Sequence, residues 1–252
     1  MNINNLYEKQ SKHMDSDLRN VQRERIHKSW FEEDTVDFWR HDRMYEMVRP
    51  VAEYYPESKW LSVGDGRFGL DSIRLRKKFG INAFPTDISE AMLQHSKDKG
   101  IIQDFSVQNA EDLDFEDHSF DFVVCKECLH HCPRPMVAIS EMIRVAKSGI
   151  ILMEPQDCKT TVEVEANFES AGNYVYSLSN REINKLVHSM NLSTMAYLEF
   201  NDAYLPGVEF EKANSENKIF NEIKQMIKQR NEQMIFSYTC TIIFKNQLDQ
   251  NL

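Results

Sequence analysis

Glycine and proline are scarce in this 252-residue chain, eight and seven residues respectively, which argues against long flexible linkers, collagen-like repeats and low-complexity tracts. Basic residues are also short: 30 stand against 40 acidic ones. That excess repels phosphate backbones and anionic lipid over most of the surface, so neither nucleic acid nor a membrane is the expected partner. No apolar run approaches the roughly 20 residues that span a bilayer. The opening MNINNLYEKQSKHMDSDLRN lacks a basic start followed by an apolar core, so the expectation is a chain that is not exported. Cysteine is sparse too. Five residues, an odd number with three crowded between Cys125 and Cys132, do not make a disulfide framework, and a reducing cytoplasm fits them best.

What is present reads as one α/β domain with added segments. In residues 1–55 Trp30, Phe31, Phe38, Trp39, Tyr45 and Val48 recur at intervals close to a helical turn. This predicts an N-terminal helical cap docked through its aromatic side chains. From residue 56 onward, strands and helices alternate. WLSVG is a short apolar strand ending in glycine, and DGRFGLDSIRLRKKFG is a glycine turn and helix closing on Gly80. INAFPTD is a second strand, with Ser89 as the expected N-cap of the helix EAMLQHSKDK. IIQDFSVQNA supplies a third apolar piece, FDFVVC a buried strand, PMVAISEMIRVAK a helix and GIILMEP another strand. Ser179 caps NREINKLVHSM; STMAYLEF, an irregular stretch, the helix KIFNEIKQMIKQRNEQ and the strand MIFSYTCTIIF follow. Such alternation predicts a parallel sheet covered on both faces, with ligands beyond the C-terminal strand ends.

Gly64, Gly66 and Gly69 form G-x-G-x-x-G between the first strand and its helix. The first glycine permits the tight turn, and the second lets a ligand lie against the backbone. Asp87 follows Gly64 by 23 residues at the end of the second strand, where a carboxylate can accept both hydroxyl protons of a ribose. Together they predict an adenosine-type cofactor. Spacing alone leaves a nicotinamide dinucleotide and S-adenosylmethionine both open.

The block from Trp60 to Pro155 resembles the class I S-adenosylmethionine-dependent methyltransferases, with LSVGDGRFG at the glycine-rich motif, PTDIS at the ribose motif, QNAEDLDFEDHSFDFVVC at the adenine motif and following strand, and LHHCPRP at the turn after it. The resemblance covers about 95 residues and lies in order and spacing. It implies a Rossmann-like seven-stranded sheet, mostly parallel with an antiparallel last strand, and helices on both faces. It further implies that S-adenosylmethionine is the cofactor and S-adenosylhomocysteine the product. Gly64, Asp65 and Gly66 would flank the amino-acid end, Asp87 would hold the ribose, Ile88 would pack on adenine, and Asn109, Ala110 and Glu111 would approach the adenine edge. The chain departs from the family at Ser62, where an acidic residue is frequent.

The cluster CKECLHHCP looks like a metal site but lacks a second paired ligand set, and its three cysteines run in the reverse spacing of radical enzymes that use the same cofactor. No metal is expected there. His130 and His131 instead suit a general base at the rim of a cofactor pocket, worth roughly 10² to 10⁴ in rate when the acceptor is a hydroxyl. Glu127, Glu154 and Asp157 lie on the same side, and Tyr174, Tyr176 and Tyr204 lie in loops that could close over an acceptor. The resulting expectation is methyl transfer to a small polar acceptor, at oxygen, with a sugar or nucleotide-sugar intermediate as one class that fits. The cap over 1–55 and an insertion near 201–231 of the 56–252 domain would form the lid.

Overall fold

The computed structural model describes residues 3–245 except 158–163, 165, 193 and 203–204. Four helices precede the first strand: α1 (Ile3–Asp17), α2 (Glu24–Ser29), α3 (Val36–Met44) and α4 (Arg49–Tyr54). They are not equivalent. α1 contains no fully buried residue, whereas Met44, Tyr45, Val48 and Val51 are buried against the sheet. Trp30 is buried against Phe68, while Phe31 remains exposed.

The alternating part then runs β1 (Trp60–Val63), α5 (Leu70–Phe79), β2 (Ala83–Asp87), α6 (Ala91–Asp98), β3 (Ser106–Val107), β4 (Phe120–Lys126), α7 (Pro135–Val145) and β5 (Ala146–Pro155). α8 (Asn180–Ser189), β6 (Thr194–Phe200), α9 (Lys218–Glu232) and β7 (Tyr238–Phe244) complete it. Among the described residues the strands form one seven-stranded sheet in the order β3-β2-β1-β4-β5-β7-β6. Pairs from β3 through β5 are parallel, and β7 runs antiparallel to both β5 and β6. This is the Rossmann-like sheet expected, with its last strand reversed.

Both faces are covered, which explains the continuous apolar runs of β1, β4 and β5. On one face Val123, Cys125, Ile150 and Leu152 pack with Ile139 and Met142 of α7 and Ile183 of α8. On the other, Trp60, Phe122, Val124 and Ile151 pack with Leu75 of α5 and with Met44 to Val51. Alternation along the pleat assigns neighbouring residues to opposite cores. α9 carries Phe220 and Ile223 onto Val36 of α3, with Trp39 and Phe220 meeting edge to face.

Two local expectations need correction. Ser179 caps α8 as expected and forms a full capping box with Glu182, but Ser89 does not cap α6. The helix begins one residue later than a Ser89 cap requires, with Glu90 at the N-cap and no side-chain cap bond. Asp15 of α1 reaches across instead, accepting from the Ala91 N–H at 3.1 Å and the Ser89 hydroxyl at 2.6 Å. The final strand also starts at Tyr238 rather than near Met234, whose positive φ of 56° breaks the extended run.

Phe122 is fully buried, with its ring 5.2 Å from Trp60 and 5.0 Å from Tyr55 between centroids. Replacing it by alanine is expected to cost about 3–5 kcal/mol in urea unfolding; a loss below about 1 kcal/mol contradicts this account of the core.

Candidate active site

The parallel order of the central strands sets four consecutive chain segments side by side at one edge of the sheet. These are residues 108–111 after β3, Asp87 and Ile88 at β2, the glycine turn after β1, and Lys126 to Cys128 with His131 and Cys132 at β4. They line a cavity of about 250 Å³, and α1 lies across it with Tyr7, Gln10, His13, Met14 and Asp17.

The glycine turn is fixed by close approach. Gly64 has φ 78°, and a Cβ on it would fall 2.3 Å from the Cys128 sulfur; a Cβ on Gly66 would fall 2.6 Å from Asp87 Oδ2. Both glycines and Asp87 line the cavity. Asp65, between them, does not. Its carboxylate turns into the start of α5, accepting from the N–H groups of Asp71 and Ser72 at 2.9 Å each and from the Ser72 hydroxyl at 2.6 Å. Gly69 likewise lies outside the cavity: it begins α5 in the left-handed region and packs on Ile102.

Asp87 accepts from the Ser89 N–H at 2.8 Å and is also bonded by the Gly66 N–H. Two carboxylate oxygens have about four acceptor sites, so capacity remains for hydroxyls of a ligand. Burial nevertheless pushes its pKa up to about 7, and burial together with the neighbouring Asp71 does the same to Asp65.

At the adenine-edge positions, Ile88, Asn109, Ala110 and Glu111 all line the cavity. Asn109 uses its side-chain oxygen locally, accepting from the Glu111 N–H at 3.0 Å. Glu111 is committed elsewhere: it accepts from the Tyr7 hydroxyl at 2.6 Å and from the N–H and Nε of Arg134 at 2.8 and 2.6 Å. This carboxylate therefore fastens α1 to the rim.

The two histidines separate. His131 lines the cavity, with Nδ1 2.6 Å from Glu169 Oε1, which leaves Nε2 as the nitrogen without a partner among the described residues. His130 lies outside the cavity lining, its Nδ1 2.7 Å from the fully buried Glu154. Burial opposes its charge, but the Glu154 hydrogen bond prevails and raises its pKa. Glu154 also accepts from the N–H groups of Cys128 and Leu129 at 2.8 Å each, so it holds the turn that carries both histidines. Glu127 lines the cavity with a positive φ of 51°. Burial works against its charge, yet Lys126 and His41 hold its carboxyl well below the usual range. Asp157, Tyr174 and Tyr176 do not line the cavity, and no described residue of 201–231 does. Tyr204 lies outside the described residues.

The sequence reading expected the cap as a lid but named none of the α1 residues that line the cavity, nor Arg67, Lys126 and Glu169. α1 carried a signal, since Ile3, Leu6, Tyr7 and Met14 recur at helical spacing along one face. Glu169, 38 residues from His131 and in an irregular loop, carried none.

A family model described as a methyltransferase domain matches residues 61–153. Over those residues the chain is similar to methyltransferase domains. Among curated relatives, a probable phthiotriol/phenolphthiotriol dimycocerosates methyltransferase 2 of Mycobacterium ulcerans is 35% identical over 106 residues, 41% of this chain and 40% of that protein. The chain spans at most about half the length of the curated relatives it matches. Among solved structures, the phosphoethanolamine N-methyltransferase 2 of Haemonchus contortus aligns with a TM-score of 0.55 and 15% identity, covering 93% of this chain and 61% of that one. The [4+2]-cyclase SpnF aligns with a TM-score of 0.51 and 16% identity, covering 81% of this chain and 80% of that one. At these identities the structures share the methyltransferase fold, and a fold does not fix a reaction.

Because Asp87 binds a proton in the folded domain up to about pH 7 but loses it near 3.8 when unfolded, folding weakens as pH rises between those values. Asp87→Asn removes that penalty. Its stability relative to the parent is expected to improve, by about 2 kcal/mol or more, between pH 4 and pH 8 in denaturant titrations. A difference that stays flat with pH contradicts the buried carboxyl.

Proposed function

We propose that the chain transfers a methyl group from S-adenosylmethionine to a small polar acceptor, at a hydroxyl oxygen, with His131 as general base. The observation that carries this reading is Asp87. A carboxylate is held at a strand end, against a glycine that leaves no side chain in the way, and keeps acceptor capacity toward the cavity. That arrangement suits the two hydroxyls of a ribose. Ile88 and Ala110 offer apolar surface for a base ring beside it, and the backbone of Gly64 to Gly66 is open to the amino-acid end.

When bound, the cofactor supplies a methyl group already made electrophilic by its sulfonium. The protein's share is alignment and, for a hydroxyl acceptor, removal of a proton. His131 suits the second task. Its hydrogen bond to Glu169 places the proton on Nδ1 and leaves the Nε2 lone pair for an acceptor hydroxyl. Glu169 thereby serves as its positioning residue, and His130, locked to Glu154, serves the turn rather than the chemistry.

Residues 1–55 act as the cap in this reading, with α1 closing the cofactor crevice; 201–231 buttresses α3 rather than the cavity. The cavity is small and closed by a helix, which favours a metabolite over a macromolecule as acceptor. Hydroxyls of sugars and nucleotide-sugars are the first class to screen.

Calorimetric titration is expected to show binding of S-adenosylhomocysteine but not NAD, and a loss of about tenfold or more in Asp87→Ala. Once label transfer from S-adenosylmethionine has found an acceptor, His131→Asn is expected to lower kcat by about 10² to 10⁴ while leaving cofactor affinity intact. Unchanged turnover removes His131 from the mechanism. Binding of NAD in place of S-adenosylhomocysteine overturns the reading as a whole.

A further inference from the structure

Toward the end of β4 the cavity wall becomes cationic, against the acidic balance of the chain. Lys126, buried, sets its Nζ 2.5 Å from Glu127 Oε2 and 3.0 Å from His41 Nδ1. Glu127 is fully engaged, since its other oxygen accepts from the Tyr238 hydroxyl at 2.8 Å. On the opposite side of the same imidazole, Arg67 Nη1 lies 3.2 Å from His41 Nε2, with its guanidinium 5.2 Å from the ring centre of Trp30. Two cations thus bracket one histidine.

Behind them, Arg40 and Arg43 both bind Asp202, and Arg40 also lies 3.8 Å from Asp37. Among the described residues these contacts join four fixed cations, Arg40, Arg43, Arg67 and Lys126, with three carboxylates, Asp37, Glu127 and Asp202. Arg67 has no carboxylate within salt-bridge distance among the described residues, and both Arg67 and Lys126 line the cavity. Arg67 is also exposed, with a fork of donors largely unspent, and a lysine ammonium carries three donors.

We propose that Arg67 and Lys126 form a subsite for an anionic group, a carboxylate or a phosphate, at the end of the cavity remote from Asn109 and Ala110. The anion supplies the charge that the cluster lacks and relieves the repulsion between the two cations. Identification of the ligand rests on the methyltransferase reading. Within that reading the anion comes either from the amino-acid end of the cofactor or from an acceptor that is itself a carboxylate or phosphate compound.

The test uses Arg67→Gln, an exposed position whose substitution does not disturb the core, with Arg67→Lys as the charge-retaining control. Wild type and variants are titrated with S-adenosylhomocysteine, with methylthioadenosine, which has the same nucleoside but no amino acid, and with inorganic pyrophosphate. A drop of about 10- to 100-fold for S-adenosylhomocysteine in Arg67→Gln, with methylthioadenosine unchanged and partial rescue by Arg67→Lys, assigns the subsite to the cofactor's carboxylate. Unchanged S-adenosylhomocysteine with pyrophosphate binding lost by a similar factor assigns it to an anionic acceptor. If pyrophosphate binds through Arg67 while neither adenosyl compound binds wild type, the cofactor reading fails and the subsite stands. Anions that bind equally to wild type and Arg67→Gln, or to neither, overturn the proposal.

Discussion

The structure of the site depends on how closely three strand ends can approach one another. Where β1 turns, Gly64 lies under the Cys128 side chain and Gly66 under the Asp87 carboxylate, each with less room than a methyl group needs. The β4 turn and the β2 end can therefore meet at the first strand, leaving bare backbone between them. A side chain at either glycine would push the carboxylate or the sulfur away and fill the crevice. The parallel sheet supplies the rest, because its strand order places the segments after β3, β2, β1 and β4 in one row.

The same crowding accounts for the electrostatics. Asp65 and Asp87 are buried within the turn, and their carboxyls are pushed up to about 7 although backbone N–H groups bond to both. Such burial opposes stability at neutral pH, so the two carboxylates are held by the packing around them rather than contributing to it. Asp65 fastens the start of α5. The Asp87 carboxylate accepts only from the Ser89 and Gly66 N–H groups among the described residues, and under the proposed function its remaining acceptor sites serve a ligand. α1 is attached differently, by Tyr7 to Glu111, Gln10 to the His131 carbonyl and Asp15 to the start of α6. It has no fully buried residue of its own. The cationic wall around His41 completes the outline with charge of the opposite sign.

Much of this was legible in the sequence because it rests on local signals. Strand and helix alternation, the glycine spacing and the position of Asp87 each follow from periodicity or from backbone conformations that few residues tolerate. The resemblance to methyltransferases extended the reading to seven strands with the last one antiparallel. What escaped were contacts between distant segments. Ser89 looked like a cap from its neighbours, but Asp15, 74 residues earlier than Ser89, supplies the cap bond. The resemblance implied that Asp65 flanks the amino-acid end of a cofactor; only the folded turn shows its carboxylate aimed into α5. The pairing of His131 with Glu169, of Arg67 with His41 and of Glu111 with Tyr7 each joins residues with no shared pattern.

A crystal structure of the chain with S-adenosylhomocysteine tests the central claim most directly. The account predicts both ribose hydroxyls within about 2.6–3.2 Å of the Asp87 carboxylate, with the nucleoside lying along the backbone of Gly64 to Gly66. A ligand seated elsewhere, or a ribose turned away from Asp87, contradicts it.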